Sequence, residues 1–403
     1  MMESIITKLT RQEAWEEFLA YRLQKGRFTW REFEDADRFV EQEKYLPLAR
    51  KVAQGGGLGI PEMKIVNKMG TGKKRVVYSF SSDEMMLLKF IAFQLYDYDE
   101  HFTPNCYAFR RGVKAHDAIY DIRRAIEGRE MWAYKLDIHD YFNSISIEIL
   151  LPLLATMTAD DPLLYRFFER MLTDDRVVYK GETIFSNHGV MAGTPTAPFL
   201  ADVYLKEVDS YFSEAGVVYA RYSDDIIMFA PDRETLMEYK DRMAAFLTQY
   251  RLEVNPDKER IYTPDEAFDF LGFRCHAHEI DIAESTRKKM KGKIKRAAKA
   301  LSRWSRKNHL PPEKAMRGLI SQFNRKFFES GDAESLSWSR WFFPVINKTD
   351  GLREIDHYLQ QHIRFLSTGR HCKSNYQTDY ASLKRLGYRS LVNEYYKFRC
   401  YGR

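Results

Sequence analysis

Three aspartates stand where apolar, β-prone segments end, and their type and placement suit them to chemistry. Asp137 ends one such segment, and Asp224 and Asp225 separate two others, 217–222 and 226–229. Two β-prone segments joined by a short polar turn form the pattern of a hairpin. Adjacent acids at a hairpin tip are common as solvated turn residues. Here the apolar flanks predict instead that the tip emerges from a buried sheet.

Three carboxylates brought together repel one another, because each makes its neighbours' charged form less favourable. Divalent cations that prefer oxygen ligands relieve this repulsion, and Mg²⁺ is the usual ion with phosphate substrates. Two such ions about 3.5–4 Å apart hold the attacking and leaving oxygens of an in-line displacement. The three aspartates therefore predict nucleotidyl transfer with two Mg²⁺ ions, for which Mn²⁺ is an alternative.

Helices and strands alternate around these acids. Segment 132–138 is a short apolar strand, and 198–214 has the pattern of a long helix that Gly216 ends. Apolar residues at helical spacing predict a second amphipathic helix over 236–250. A basic strand is expected over 73–80. The alternation indicates a sheet packed by helices.

The formal net charge of +6 on 403 residues conceals an uneven distribution. Residues 285–326 contain fifteen Lys or Arg against a single acid, Glu313, a net of +14, so the remainder sums to −8. A run of charges is usually a solvated helix face. An excess this one-sided favours a surface that neutralises phosphates, with salt-dependent affinity for nucleic acid.

Composition excludes several other classes of protein. With 44% hydrophobic residues, the chain is neither a disordered tail nor a disulfide-stapled miniprotein. No apolar run approaches the roughly 20 residues of a membrane span, and the first residues lack a leader pattern, so a cytoplasmic protein without membrane partners is expected. Neither CxxC pairs nor zinc-finger spacing occur among the cysteines and histidines, which predicts no zinc site.

The ordered motifs together resemble those of reverse transcriptases over roughly residues 70–275. The sequence Tyr-Ser-Asp-Asp at 222–225 looks like their Y-x-D-D box, 87 residues after Asp137 in a segment similar to their first palm motif. Further matches are the Gly-rich turn and helix at 189–205, the fourth motif at 252–258, the primer-grip hairpin at 268–273, and the intron-type bacterial fingers at 107–112 and 115–118.

This resemblance implies an α+β right-hand polymerase fold, with fingers, a palm built on an antiparallel sheet, and a helical thumb. The implied divisions are an N-terminal helical extension at 1–60, fingers at 61–130, palm at 131–280 with part of the fingers at 150–185, a basic thumb at 281–330, and an aromatic C-terminal element at 331–403.

The family pattern also implies roles for individual acids and bases. Asp137, Asp224 and Asp225 correspond to the metal ligands, and Lys258 to a lysine near the leaving pyrophosphate, where it can donate a proton or stabilise charge. Asp140 matches a family acid and equally fits a solvated loop acid.

Nucleotide contacts are implied at four positions. Lys74 and Arg75 correspond to the fingers site for triphosphate oxygens, which suits the planar donor fork of arginine. Phe142, five residues after Asp137, corresponds to the position against the sugar, where a bulky ring excludes a 2′-hydroxyl and selects deoxynucleotides. Backbone groups of the Gly193 turn are expected to position the templating base.

The second motif departs from the commonest bacterial pattern. Met191, Ala192 and Gly193 stand where that pattern has Pro-Gln-Gly, so the glutamine amide is absent, and Ala197 replaces the usual serine. The departure argues against the diversity-generating subgroup, and the retron-type Val-Thr-Gly is missing from the C-terminal region. It also leaves untemplated or protein-primed synthesis open.

The resemblance therefore predicts an RNA-directed DNA polymerase that uses deoxynucleoside triphosphates and makes cDNA from a cognate noncoding RNA. The stand-alone, defence-associated class of bacterial enzymes fits best, which implies a role against phage. The alternatives are a mobile-element enzyme of intron or retron type and a non-catalytic RNA-binding scaffold. The residues expected to bind nucleic acid in the thumb are Arg287, Lys288, Lys291, Lys295 and Arg296.

Overall fold

The computed structural model describes residues 3–24, 30–67, 74–329, 337–370 and 372–401. The chain separates into two compact units, Met1–Glu266 and Ala267–Arg403. Lys73 of the predicted basic strand and residues 331–336 of the predicted C-terminal element lie outside the described residues. Within the described residues, none of the helices has both the length and the apolar composition needed to cross a bilayer.

The first unit combines eleven described α-helices with eight strands. The helices are α1 (Ile5–Lys8), α2 (Gln12–Gln24), α3 (Trp30–Glu41), α4 (Leu46–Ala53), α5 (Ser82–Gln94), α6 (Ala115–Ile126), α7 (Tyr141–Ser144), α8 (Ile147–Met157), α9 (Pro162–Thr173), α10 (Ala197–Glu214) and α11 (Arg233–Gln249). The strands are β1 (Glu62–Asn67), β2 (Lys74–Ser79), β3 (Trp132–Asp137), β4 (Arg176–Tyr179), β5 (Glu182–Phe185), β6 (Val218–Tyr222), β7 (Asp225–Ala230) and β8 (Arg260–Tyr262).

A four-stranded antiparallel sheet forms the centre of this unit, in the order β6-β7-β3-β8. Its middle strands are largely buried: β7 continues after Asp225 with five apolar residues, and most of β3 is buried, as expected for strands covered on both faces. α10 packs against β6, and α11 packs against β3 and β7. The predicted hairpin and the two predicted helices are confirmed.

A second sheet, in the order β2-β1-β4-β5, is antiparallel except where β1 meets β4 in a short parallel pairing. The predicted basic strand is confirmed as β2, which pairs with β1 over six residues. The backbone N–H of Tyr78 in β2 donates to the carbonyl of Ala192 at 2.8 Å. This bond ties the second sheet to the Gly-rich turn of the second motif.

The second unit is mainly helical. It contains a three-stranded antiparallel sheet of β9 (Phe268–Phe270), β10 (Phe273–His276) and β11 (Glu279–Ile282). Its helices are α12 (Glu284–Lys307), α13 (Pro312–Phe328), α14 (Trp338–Phe342), α15 (Asp350–Thr368), α16 (Tyr380–Arg385) and α17 (Leu391–Tyr401).

The buried carboxylate of Asp356 in α15 fixes the start of α17. It accepts hydrogen bonds from the backbone N–H groups of Leu391 (2.9 Å) and Val392 (3.1 Å), and from the hydroxyls of Tyr388 and Ser390, both at 2.7 Å. The first N–H groups of a helix have no partner within the helix, so a carboxylate at this end stabilises it. The aromatic tail is thereby packed onto α15.

Candidate active site and nucleic-acid interface

The three predicted aspartates meet at one end of the central sheet. Asp137 is the last residue of β3 and lies opposite Asp225, the first residue of β7. Asp224 lies in the turn between β6 and β7, where Ser223 has a φ of 60°. The N–H of Ile138 donates to the Asp224 carbonyl at 3.0 Å, so the turn is bonded to the end of β3.

Asp137 is held by the loop of the fourth motif. The Lys258 ammonium forms an ion pair with the Asp137 carboxylate, and the Asn255 side-chain amide donates to the same carboxylate at 3.4 Å. The Asn255 backbone N–H also donates to the Asp137 carbonyl at 2.8 Å. Lys258 therefore lies in the site where the sequence placed it, and Asn255 is a contact that sequence analysis missed.

Lys135 is a second missed residue. Its ammonium lies 3.2 Å from Oδ1 of Asp225. Burial raises the pKa of the Asp225 carboxyl to about 6, although Lys135 lowers it. The period of two along a strand puts Lys135 on the same face as Asp137, so this position could have been found from the sequence.

Asp224 faces electrostatic repulsion within the site. Burial raises the pKa of its carboxyl, and repulsion by Asp137 raises it further, while Lys258 and Arg75 lower it. Two carboxylates this close to each other are a donor set that suits a hard divalent cation. Among the described residues, His, Cys, Asp and Glu side chains nowhere form a metal-holding group of three or more. The fit to Mg²⁺ therefore rests on the Asp137–Asp224 pair.

The predicted triphosphate residues lie on β2, exposed to solvent. Arg75 is close enough to Asp224 for its charge to lower the pKa of that carboxyl. Gly193 packs against the same strand, and a Cβ there would lie 3.1 Å from the Tyr78 carbonyl oxygen. Its φ of +103° also disfavours any other residue, so glycine lets the turn approach β2.

Phe142 lies in the short helix α7, which begins four residues after Asp137. Its half-buried ring meets the Tyr141 ring edge-on, with centroids 5.8 Å apart. Its carbonyl accepts from the N–H of Val190 at 2.9 Å, which joins the first and second motifs. Asp140 accepts hydrogen bonds from the Asn143 side chain at 3.1 and 3.2 Å, so its carboxylate has a local structural partner.

A buried charge cluster lies behind the acid turn, and the sequence did not reveal it. Arg221 of β6 is fully buried and bonded to Asp202 and Asp209 of α10. Its guanidinium also lies 3.1 Å from the Cys106 sulfur and 3.4 Å from the Ser223 carbonyl oxygen. Burial raises the pKa of Asp202 to about 7 despite the nearby arginine. The sequence signal that could have revealed this cluster is the single charged residue, Arg221, in the otherwise uncharged strand β6.

The predicted nucleic-acid residues of α12 divide between two faces. Arg287 and Lys291 both form ion pairs with Glu354 of α15, so these two cations join the helices. Lys288 pairs with Glu284 one turn earlier and remains exposed. Within the described residues, Lys295 and Arg296 have no carboxylate partner.

Another face of the second unit carries lysine and arginine side chains that are close together and are not paired with carboxylates among the described residues. Burial lowers the pKa of Lys293, and the neighbouring charges of Lys326, Arg296 and Lys289 lower it further. None of these four side chains pairs with a carboxylate in the part of the chain that the structure describes. Their mutual repulsion favours a polyanion at this face, which we call the 293 face.

We expect the double change of Lys293 and Arg296 to alanine to weaken binding of an RNA–DNA duplex. Each lost phosphate contact removes about 0.9 from the slope of log affinity against log salt, so the slope should flatten by about 1–2. Fluorescence anisotropy at several salt concentrations measures it. Lys348→Ala is the control, because Lys348 is exposed and paired with Glu279. An unchanged slope in the double variant would place the duplex on another surface.

Comparison with known proteins identifies the class. Residues 66–275 match the family profile described as reverse transcriptase (RNA-dependent DNA polymerase). This is more than half of the chain, which therefore belongs to the reverse transcriptase family. The expected right-hand polymerase fold of α+β class is confirmed.

A curated relative is the Retron Ec83 reverse transcriptase of Escherichia coli, 24% identical over 184 residues. The match covers 39% of this chain and 56% of that protein. The resemblance to bacterial reverse transcriptases is thereby confirmed, while the subclass stays a prediction.

Two telomerase structures are also similar. Apo telomerase from Candida tropicalis has a TM-score of 0.49 and 13% identity, covering 82% of this chain and 60% of that one. Telomerase from Candida albicans with a fragment of telomeric RNA has a TM-score of 0.42 and 13% identity, covering 87% and 68%.

Proposed function

We propose that this protein is an RNA-directed DNA polymerase that extends a primer with deoxynucleoside triphosphates. The observation that carries the proposal is the pair of mutually repelling carboxylates, Asp137 and Asp224, at the end of the central sheet. A lysine and an arginine, Lys258 and Arg75, accompany them. Carboxylates beside phosphate-binding cations are the arrangement that nucleotidyl transfer requires.

The reaction joins the primer 3′-oxygen to the α-phosphorus of the triphosphate and releases pyrophosphate. Asp137 and Asp224 would hold Mg²⁺ or Mn²⁺, which supplies charge neutralisation for the attacking and leaving oxygens. Arg75 binds triphosphate oxygens through its donor fork. Lys258, whose side chain is 44% exposed, stabilises the charge that develops on the pyrophosphate and can donate a proton to it.

Primer extension on RNA templates tests this proposal. We expect templated incorporation of deoxynucleotides that depends on a divalent cation and that sequencing of the product verifies. Incorporation without templating would support untemplated or protein-primed synthesis. If no template supports incorporation with either Mg²⁺ or Mn²⁺ while RNA still binds, the chain is an RNA-binding scaffold.

We further propose that the template is a cognate noncoding RNA, copied into cDNA in the cytoplasm, and that the product acts against phage. What supports this proposal is the similarity of the chain to a bacterial enzyme, the Retron Ec83 reverse transcriptase, and the resemblance of its motifs to the stand-alone, defence-associated class. Sequencing the bound RNA together with the DNA product identifies the template. A self-splicing intron RNA would favour a mobile element instead. Phage plating on cells with and without the active enzyme tests the defence role.

Substitution of Phe142 by alanine is expected to admit ribonucleotides. The half-buried ring would lie against the sugar of the incoming nucleotide, and removal of one such clash is worth about ten- to two-hundredfold in discrimination. The measurement is the ratio of kcat/KM for a deoxynucleotide to that for the matching ribonucleotide. Unchanged discrimination with normal deoxynucleotide incorporation would place the sugar gate at another residue.

A further inference from the structure

Phe109 is an exposed aromatic residue close to the acid turn. The segment before it runs parallel to β6, because the Arg221 N–H donates to the Asn105 carbonyl and the Tyr107 N–H donates to the Arg221 carbonyl, both at 2.9 Å. A parallel segment continues in the same direction as its neighbour. The chain after Tyr107 therefore advances alongside the end of β6, towards the turn that holds Asp224.

The backbone at Phe109 is strained and firmly held. Its φ of 59° lies in the left-handed region, which bulky residues rarely adopt. The next residue, Arg110, donates from its guanidinium to the carbonyl oxygens of Thr103, Cys106 and Asp99 at 2.9, 3.0 and 3.1 Å. Strain of this kind persists where the surroundings over-determine the conformation, and it clusters at ligand sites.

The ring of Phe109 contacts the residue assigned to the sugar. Its centroid lies 6.2 Å from that of Phe142, with the planes at 73°, an edge-to-face arrangement. It also lies 6.4 Å from the Tyr222 ring, next to the acid turn. Tyr141, its neighbour in α7, also contacts Phe142, with ring centroids 5.8 Å apart. Phe142 is therefore in contact with aromatic rings from two separate elements.

We propose that Phe109 is a positioning residue that holds the Phe142 ring in the orientation that excludes a 2′-hydroxyl. This inference rests on the proposed polymerase function. A ring excludes a hydroxyl only while it cannot rotate aside, and the edge-to-face contact between Phe109 and Phe142 opposes rotation of the Phe142 ring. The loop that carries Phe109 can hold the Phe142 ring because the three guanidinium hydrogen bonds of Arg110 anchor this loop.

Sugar discrimination in Phe109→Ala is the test. Loss of one aromatic contact corresponds to about a two- to tenfold fall in the deoxynucleotide-to-ribonucleotide ratio of kcat/KM. Phe109→Tyr should keep the ratio, since the ring remains. Phe109→Gly removes the ring and accepts the positive φ, so it should lower the ratio even if the alanine variant folds poorly. In the Phe142→Ala background, removing Phe109 should add nothing.

Phe185→Ala is the matched control, because Phe185 is 74% exposed on β5. A fall in affinity for primer and template at unchanged sugar discrimination would show that Phe109 stacks on a base, and would overturn the proposal. Equal discrimination in wild type, Phe109→Ala and Phe109→Gly would overturn it as well. A wild-type protein that incorporates no nucleotide would instead contradict the proposed function.

Discussion

Asp224→Asn is expected to abolish nucleotide incorporation, with kcat lower by about a thousandfold or more, while RNA binding survives. The amide keeps the shape of the side chain but removes one of the two charges proposed to hold the cation. Stabilisation of transition-state charge by a bound metal is worth several kcal/mol, which corresponds to this factor. Single-turnover primer extension measures the rate, and anisotropy measures RNA binding.

Loss of folding would not explain such an effect. Burial and repulsion by Asp137 raise the pKa of Asp224 on folding, so at neutral pH its charged form opposes the folded state. The neutral amide removes that cost, and the variant should melt at the same or a higher temperature without metal. Added Mg²⁺ should raise the melting temperature of the wild type more than that of the variant.

Asp241→Asn is the control, since Asp241 is an exposed acid on α11 of the same unit. It should leave both activity and the Mg²⁺ effect unchanged. If Asp224→Asn kept a tenth or more of wild-type incorporation, the assignment of the cation to this pair would be wrong.

Arg221→Met is expected to destabilise the first unit by about 3–5 kcal/mol, the usual result of leaving buried charges without their partner. Methionine keeps an unbranched apolar side chain but lacks the guanidinium charge, so Asp202 and Asp209 would face each other in the interior. The hydrogen bond to the Ser223 carbonyl would also be lost, and with it support for the acid turn. Urea unfolding followed by fluorescence measures the free energy.

Neutralising one acid should partly rescue this variant. The double change Arg221→Met with Asp209→Asn removes one uncompensated charge, so we expect it to be more stable than Arg221→Met alone. Arg233→Met, at an exposed position on α11, serves as the control and should change stability by less than about 0.5 kcal/mol. A cost below about 1 kcal/mol for Arg221→Met would show that the cluster contributes little to folding.

The acid site was largely readable from the sequence, because its parts are local. Apolar strands that end on aspartates, the tight turn at 222–225 and the order of the motifs are all properties of short segments. They identified Asp137, Asp224 and Lys258, and the structure brings these three together. Lys135 was missed, although the period of two along β3 puts it on the same face as Asp137 and its ammonium pairs with Asp225.

The sequence predicted the excess of positive charge in α12, but it did not predict which of these cations remain unpaired on the surface. Arg287 and Lys291 look like Lys293 and Arg296 in the sequence, since all four lie in one cationic helix. Their roles differ because Glu354, more than 60 residues later, pairs with the cations of one face, while Lys293 and Arg296 on the other have no carboxylate partner in the described part of the chain.

Long-range contacts governed the remaining features. In the sequence, Arg221 is a single charged residue in an otherwise uncharged strand. The fold places two aspartates of α10 beside it. In the sequence, Phe109 is one of many aromatic residues. In the fold, the segment parallel to β6 places it against Phe142. Residue type and spacing thus specified the chemistry and the local elements, because both depend on near neighbours in the chain. Which charges are neutralised and which rings meet depended on packing between distant segments, which spacing along the chain does not encode.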